Sequence, residues 1–351
     1  MLSKLLSIIL AGTGILIVCL GLTEAALRLF FPMFLTGGFI GDYKYDEELG
    51  YRLKQGWFVQ MTDYRQEAYV NSLGTVNFQR DFKGYQKLVF TSGDSYTQGT
   101  GLPSDMSYPA QLDFELNVGA KGYEKRFGIV NLGLAAFGGE QSIIAINRYI
   151  ERIGIPDYVL YLGCSNDAED DDMFRSGYRH LALVDDNPRY GTFVGLLQAM
   201  SHRTEIGKRI NHIRRMRARK EASAEGGVIR APGRPVAEMQ EQVLLRLKEI
   251  AEGHGSVLVV GWANDPKNTD DPASYEWLKH WAEQQHVSFA DWYPTVASVG
   301  ISIPDLPKNN DHSGGHYRGW VNRLIALTFA EKIRSVELTL HSVQQPPDRK
   351  R

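Results

Sequence analysis

The chain has 351 residues, 43% hydrophobic and 23% charged, enough to bury a sizeable core and unlike a disordered or fibrous protein. A net charge of −2 argues against a general polyanion binder. The two cysteines, Cys19 and Cys164, supply no disulfide framework and indicate no redox compartment.

Leu5 to Leu22 carries no charge, and as a helix it would be about 27 Å long, close to the thickness of a hydrocarbon core. No Ala-x-Ala cleavage pattern follows, only Thr23-Glu24-Ala25-Ala26, so an uncleaved single-pass anchor is expected rather than a removed signal. The short tail before the run favours a cytoplasmic N-terminus, with the rest of the chain on the extracytoplasmic, periplasmic side of the plasma (inner) membrane. The expected organisation is an anchor over 1–30, a stalk or leader over 31–84 that folds back on the domain, the main domain over 85–335, and a tail over 336–351. Residues from Gln344 onward are expected to be disordered.

From Lys87 onward, apolar runs of strand length alternate with helical stretches. The strands are expected over Lys87–Ser92, Phe127–Leu132, Asp157–Gly163, Ser256–Gly261 and His286–Ala290. The helices are expected over Ser107–Val118, Gly139–Ile153, Thr192–Lys220, Val236–Glu252, Ala273–Gln285 and Gly319–Ile333. This alternation predicts an α/β fold, a three-layer α/β/α sandwich around a central parallel sheet, with ligands at the carboxyl edge of the strands.

Lys87-Leu88-Val89-Phe90-Thr91-Ser92 runs directly into Gly93-Asp94-Ser95, placing Ser95 at the corner between a strand and a helical pattern. Backbone N–H groups gather at such a corner, which suits a hydroxyl that must become a nucleophile. Asn131-Leu132-Gly133-Leu134-Ala135-Ala136-Phe137-Gly138 and Gly163-Cys164-Ser165-Asn166-Asp167 also follow strands and converge on the same edge. Near the C-terminus, Asp311-His312-Ser313-Gly314-Gly315-His316 supplies two histidines and an aspartate in a glycine-rich loop before the final helix.

Two stretches are read as surface. Ala168-Glu169-Asp170-Asp171-Asp172 is expected to be an exposed, solvated loop rather than a Ca²⁺ or Mg²⁺ site. Arg203–Lys220, with eight Lys or Arg residues against Glu205, is read as a solvated helix face with Ile206, Ile210 and Ile213 turned inward, not as a nucleic-acid site. Trp262, Asn264 and Asp291-Trp292-Tyr293, after the fourth and fifth strands, could line a subsite, although aromatic residues there more often serve packing. No metal motif and no phosphate-binding glycine loop is present.

The ordered set Gly93-Asp94-Ser95, Asn131–Gly138, Asn166 and the C-terminal histidine loop resembles the SGNH (GDSL-type) serine hydrolases, over roughly Tyr45 to Ile333. Leu49-Gly50-Tyr51-Arg52-Leu53-Lys54 and Asn71-Ser72-Leu73-Gly74 resemble the leader of membrane-anchored bacterial members. The resemblance implies a flavodoxin-like SGNH fold, no cofactor, and either an esterase or an O-acyltransferase to a sugar hydroxyl. A small ester or an acylated envelope glycan would be the substrate. The alternative from another class is a non-catalytic glycan-binding module.

By that resemblance Ser95 is the nucleophile and also gives its own N–H to the oxyanion, and Asn166 gives its side-chain amide. A third donor comes from the column occupied here by Ala136, with Gly133 and Gly138 as substitutes. The alanine stands where the family has glycine, and it keeps its donor role only with φ below zero. His316 is the expected base, with Asp311 orienting it, and His312 is the alternative. The family's Asp three residues before the histidine is replaced here by Ser313.

Overall fold

The computed structural model describes residues 2–31, 43–61, 65–79, 81–119, 126–175, 204–207, 209–210, 236–264, 272–298 and 316–344. The chain divides into two compact units, Met1–Leu35 with Ala182–Pro232, and Thr36–Leu181 with Gly233–Arg351.

In the first unit, helix α1 spans Leu2–Phe30. Its Leu10–Phe30 stretch has a mean hydropathy of 1.9 and none of it is buried, so it is long and apolar enough to cross a membrane; a signal sequence has the same character. Glu24, near the end of α1, accepts the N–H groups of Glu205 and Ile206 at 2.8 and 3.1 Å and the Arg28 Nε–H at 2.7 Å. It thereby satisfies two backbone donors at the start of a helical turn. Most of the basic run 203–220 lies outside the described residues.

The second unit is built on a five-stranded parallel sheet. Its strands are β5 (Lys87–Gly93), β6 (Phe127–Asn131), β7 (Tyr158–Gly163), β8 (Val257–Trp262) and β9 (Ser288–Ala290), and they lie in the order β6-β5-β7-β8-β9. Counted from the first strand of the sheet this is 2-1-3-4-5, the flavodoxin-like order, whose switch point lies where chain order reverses, between β5 and β7. The strands read as continuous apolar runs because both faces are covered. Val89, Ile129, Leu160, Leu162 and Val259 pack with Tyr108 and Leu112 of α3 (Tyr108–Asn117) and with Ile325, Phe329 and Ile333 of the last helix. Side chains alternate along a strand, so Phe90, Val130, Val159 and Val260, also buried, face the other layer. That layer holds α4 (Gly139–Ile153), α5 (Asp167–Arg175) and α6 (Val236–Gly253), which pack on one another. Helices α7 (Pro272–Gln284) and α8 (Tyr293–Ser298) follow β8 and β9, and α9 (Gly319–Gln344) closes the chain.

Two expectations are corrected. Helix α9 runs to Gln344, so residues 336–344 are helical and the tail drawn from 336 does not begin there. Glu337 explains the extension. Its side chain is buried and bridges the Lys87 amine, the Arg126 guanidinium at 2.7 Å and the Tyr158 hydroxyl at the amino-terminal edge of the sheet. The acidic run is helix α5, not a solvated loop, and Asp167, Asp170 and Asp171 are buried in it. Two of these carboxylates terminate backbone donors: Asp171 Oδ1 accepts the Glu140 N–H at 2.8 Å and Asp167 Oδ2 accepts the Cys164 N–H at 2.9 Å.

The leader contains two antiparallel hairpins, β1 (Tyr43–Asp46) with β2 (Gly50–Leu53) and β3 (Gly56–Met61) with β4 (Arg65–Val70). Tyr43, Leu49, Tyr51 and Leu53 are buried, with Tyr51 edge-on to both Tyr43 and Phe137. Asp46 takes both forks of the Arg148 guanidinium at 2.7 Å. Asn77 covers the exposed edge of β6, accepting the Asn131 N–H at 2.8 Å and donating to the Ile129 carbonyl at 3.1 Å.

Candidate active site

Strand β5 ends in Gly93, where φ is +144° and an added Cβ would lie 2.6 Å from the Leu162 carbonyl oxygen and from Thr97 Oγ1. Only glycine fits there, and the chain turns away from the sheet at once. Asp94 is the N-cap of α2 (Ser95–Gln98), with Oδ1 accepting the Tyr96 N–H at 2.9 Å. Helix α2 is a single turn closed by Gly99 at φ +83°. The Ser95 corner therefore draws on local backbone donors more than on a helix dipole.

His316 lies 221 positions away in the chain, and its Nε2 stands 2.7 Å from Ser95 Oγ. The residue after it anchors it. Tyr317 is buried, packs on Tyr96 and stands edge-on to Trp292, whose indole N–H donates to the Trp262 carbonyl at 2.7 Å. The His316 and Tyr96 rings are 5.0 Å apart. Trp262 and Trp292 thus serve packing behind His316, and Asp291 is engaged by the Tyr275 hydroxyl and the Lys279 amine at 2.8 and 3.1 Å. Asp311 and His312 lie outside the described residues.

The Ser95 hydroxyl has one proton and a second acceptor, Asp94 Oδ2, at 3.2 Å. Asp94 is 1% exposed, and burial holds its carboxyl above the ordinary carboxylate range despite the Tyr96 N–H. Of the two acceptors His316 is the nearer, at 2.7 Å against 3.2 Å.

The loop after β6 runs beside this corner: the Leu132 N–H bonds to the Thr91 carbonyl at 2.8 Å and the Leu134 N–H to the Gly93 carbonyl at 3.2 Å. Gly133 does not supply the donor proposed for it, because its N–H is taken by Asn131 Oδ1 at 3.0 Å. Its lack of a side chain serves packing, since a Cβ there would lie 2.4 Å from that of Thr97. Gly138 serves similarly, facing Asp171 Oδ1 at 2.3 Å from a hypothetical Cβ. Ala136 has φ +61°, which overturns the expected negative sign: the alanine is held in the left-handed region that a glycine would adopt freely, and it still presents its backbone N–H. Among the described residues its N–H meets no acceptor. The left-handed conformation costs an alanine roughly 1–2 kcal/mol, and local bonds hold it in place.

Asn166 follows β7, and both ends of its amide are fixed. Oδ1 accepts from the Cys164 thiol at 2.8 Å, and Nδ2 donates to Asp170 Oδ2 at 2.5 Å. Asp170 thus orients the amide, whose nitrogen has a second hydrogen to give. Asn264, read as a possible subsite residue, instead accepts the Ser165 N–H at 2.7 Å. Cys164 lies against Asp94, and burial pushes its thiol well up, so it is an inert core group rather than a competing nucleophile. Burial and the neighbouring Asp94 raise Asp167 well above the carboxylate range, and burial raises Asp171 to about 7. Among the described residues no cluster of side chains could hold a metal ion.

Sequence reasoning did not find Asp94 as second acceptor, Asp170 as the orienting group, or Gln98 and Tyr51, which hold the Ala136 turn. The adjacency of Asp94 to Ser95 was the one available signal.

The chain matches no model of a known protein family and no curated protein. Solved structures similar to it include a lipolytic protein of the G-D-S-L family from Veillonella parvula (13% identity, 70% of this chain and 96% of that one, TM-score 0.42). Another is the psychrotrophic esterase EstA from Pseudoalteromonas sp. (12% identity, 71% and 98%, TM-score 0.41). A third is the α/β hydrolase LAE5 from the metagenome of Lake Arreo (15% identity, 70% and 94%, TM-score 0.41).

Proposed function

We propose that this chain is a serine hydrolase of the SGNH (GDSL-type) kind that cleaves ester bonds through an acyl-enzyme on Ser95. The observation that carries the reading is the 2.7 Å contact between Ser95 Oγ and His316 Nε2, at the carboxyl edge of the sheet and beside the Ala136 turn. Neutral His316 takes the hydroxyl proton through Nε2 as Oγ attacks the ester carbonyl carbon. The N–H groups of Ser95 and Ala136 and the free hydrogen of Asn166 Nδ2 then receive the negative oxygen. The imidazolium returns its proton to the departing alkoxide, and the same histidine next activates a water that releases the acid. Asp311 is the proposed orienting group for the ring.

The proposed substrate is an O-acyl ester on an envelope glycan or a small ester, reached from a single-pass anchor with the domain on the extracytoplasmic side. The apolar exposure of α1 supports the anchor. The test is p-nitrophenyl acetate turnover together with labelling by a fluorophosphonate, using wild type and Ser95→Ala. Turnover and labelling that both vanish in Ser95→Ala are expected. Labelling without turnover would favour transfer to a sugar hydroxyl, and neither would leave a binding module.

A further inference from the structure

Residues Leu134, Ala135, Ala136 and Phe137 form a turn closed by the Phe137 N–H on the Leu134 carbonyl at 2.9 Å. Ala136, the third residue, has φ +61°, while Ala135 is not among the residues with positive φ, so the turn is of type II. A type II turn favours glycine at its third position, whereas type I suits alanine there. The two differ by a half-rotation of the central peptide, here the one joining Ala135 to Ala136. A trans peptide directs its C=O and its N–H in opposite senses, so that rotation also reverses the Ala136 N–H.

Two buried side chains hold this turn, one on its central peptide and one on the peptide before it. The Tyr51 hydroxyl, on β2 of the leader, donates to the Ala135 carbonyl at 2.6 Å. Gln98, on the turn of helix that carries Ser95, accepts the Ala135 N–H through Oε1 at 2.5 Å. Tyr51 is fully buried and Gln98 is 1% exposed. A rotated peptide would break the bond from the Tyr51 hydroxyl to the Ala135 carbonyl, which disfavours the rotation.

We propose that Tyr51 is a positioning residue that selects the type II state and so aims the Ala136 N–H at the oxyanion. The leader thus completes the site. The inference rests on the esterase reading above. In a protein with glycine at 136 the turn would choose this state unaided; with alanine it requires the tyrosine.

The test uses the full chain in detergent, with p-nitrophenyl acetate kinetics, fluorophosphonate labelling and thermal unfolding. Tyr51→Phe keeps the ring packing and removes the hydroxyl, and it is expected to lower kcat about ten- to a hundredfold with KM within about twofold. Ala136→Gly in the Tyr51→Phe background should restore most of the lost kcat, because glycine adopts positive φ freely. Tyr149→Phe is the control. It removes a similar buried bond, from the Tyr149 hydroxyl to the Leu73 carbonyl at 2.6 Å, and should lower the Tm without changing kcat. An unchanged kcat in Tyr51→Phe, or a loss that glycine at 136 does not restore, would overturn the inference while leaving Ser95 chemistry intact. A wild type that neither turns over nor labels would overturn the esterase reading and the inference with it.

Discussion

Replacing Asp171 by asparagine should stabilise the protein above neutral pH and do little in mild acid. Asp171 is 3% exposed, and its Oδ1 accepts the Glu140 N–H, completing the first turn of α4 where Gly138 supplies no side-chain cap. Burial, reinforced by the charges of Glu140 and Asp170, outweighs the Glu140 N–H and Arg175 and puts the carboxyl at about 7, against 3.8 for an ordinary aspartate. Between those values the folded protein holds a proton that the unfolded chain has released, so stability falls as pH rises from about 4 to about 7 and then levels off. At about 1.36 kcal/mol per pH unit the ceiling on this loss is about 4 kcal/mol, and relaxation around the group brings the expected value to about 2–3 kcal/mol. Asparagine retains the carbonyl that caps α4 and has no charge to bury. Thermal unfolding of wild type and Asp171→Asn at pH 4.5 and pH 8 reads the effect. The Tm values should nearly coincide at pH 4.5, and the variant should lead by about 5–10 °C at pH 8. A gap that is the same at both pH values, or a less stable variant at pH 8, would refute the account of the buried acid.

Ala136→Gly should raise stability by up to about 1 kcal/mol, seen as a higher Tm, because glycine relieves the positive φ while giving back some unfolded-state entropy. Glu337→Gln should cost about 1–3 kcal/mol at pH 7 in a denaturation series, since it strips the buried partner from Lys87 and Arg126, which are themselves partly exposed. Burial alone would raise the Glu337 carboxyl, but Lys87, Tyr158 and Arg126 together hold it below 4.5. Its contribution is therefore present above that value and lost as pH falls through the lowered one. The full chain should stay with membranes through a carbonate wash, and recovery from cells of a mature chain lacking Leu5–Leu22 would rule out the anchor.

The sheet was legible because its strands are buried on both faces: Leu88-Val89-Phe90 and Tyr158 to Leu162 give unbroken apolar runs that only a covered parallel sheet accommodates. Ser95 and His316 were legible through their settings, a strand running into Gly-Asp-Ser and a glycine pair before the last helix. The acidic run was not, because composition assigns carboxylates to water, whereas Asp167 and Asp171 are buried with raised pKa and spend their oxygens on the N–H groups of Cys164 and Glu140. The sequence expected the leader to fold back on the domain but not the contacts that seat it: Tyr43 and Tyr51 are buried and the charge of Asp46 is taken up by Arg148. The conformation of Ala136 was hidden altogether, since its turn is held by a leader hydroxyl bonded to Ala135 from 84 positions upstream.

The central claim, that Ser95 and His316 act as one nucleophilic pair, is tested most directly by the turnover of Ser95→Ala, His316→Ala and the double variant on p-nitrophenyl acetate. Members of one catalytic unit are non-additive, so each single variant should fall to nearly the same residual kcat and the double variant should fall no further. Near-normal turnover in His316→Ala, or a double variant whose loss is the product of the two single losses, would contradict it.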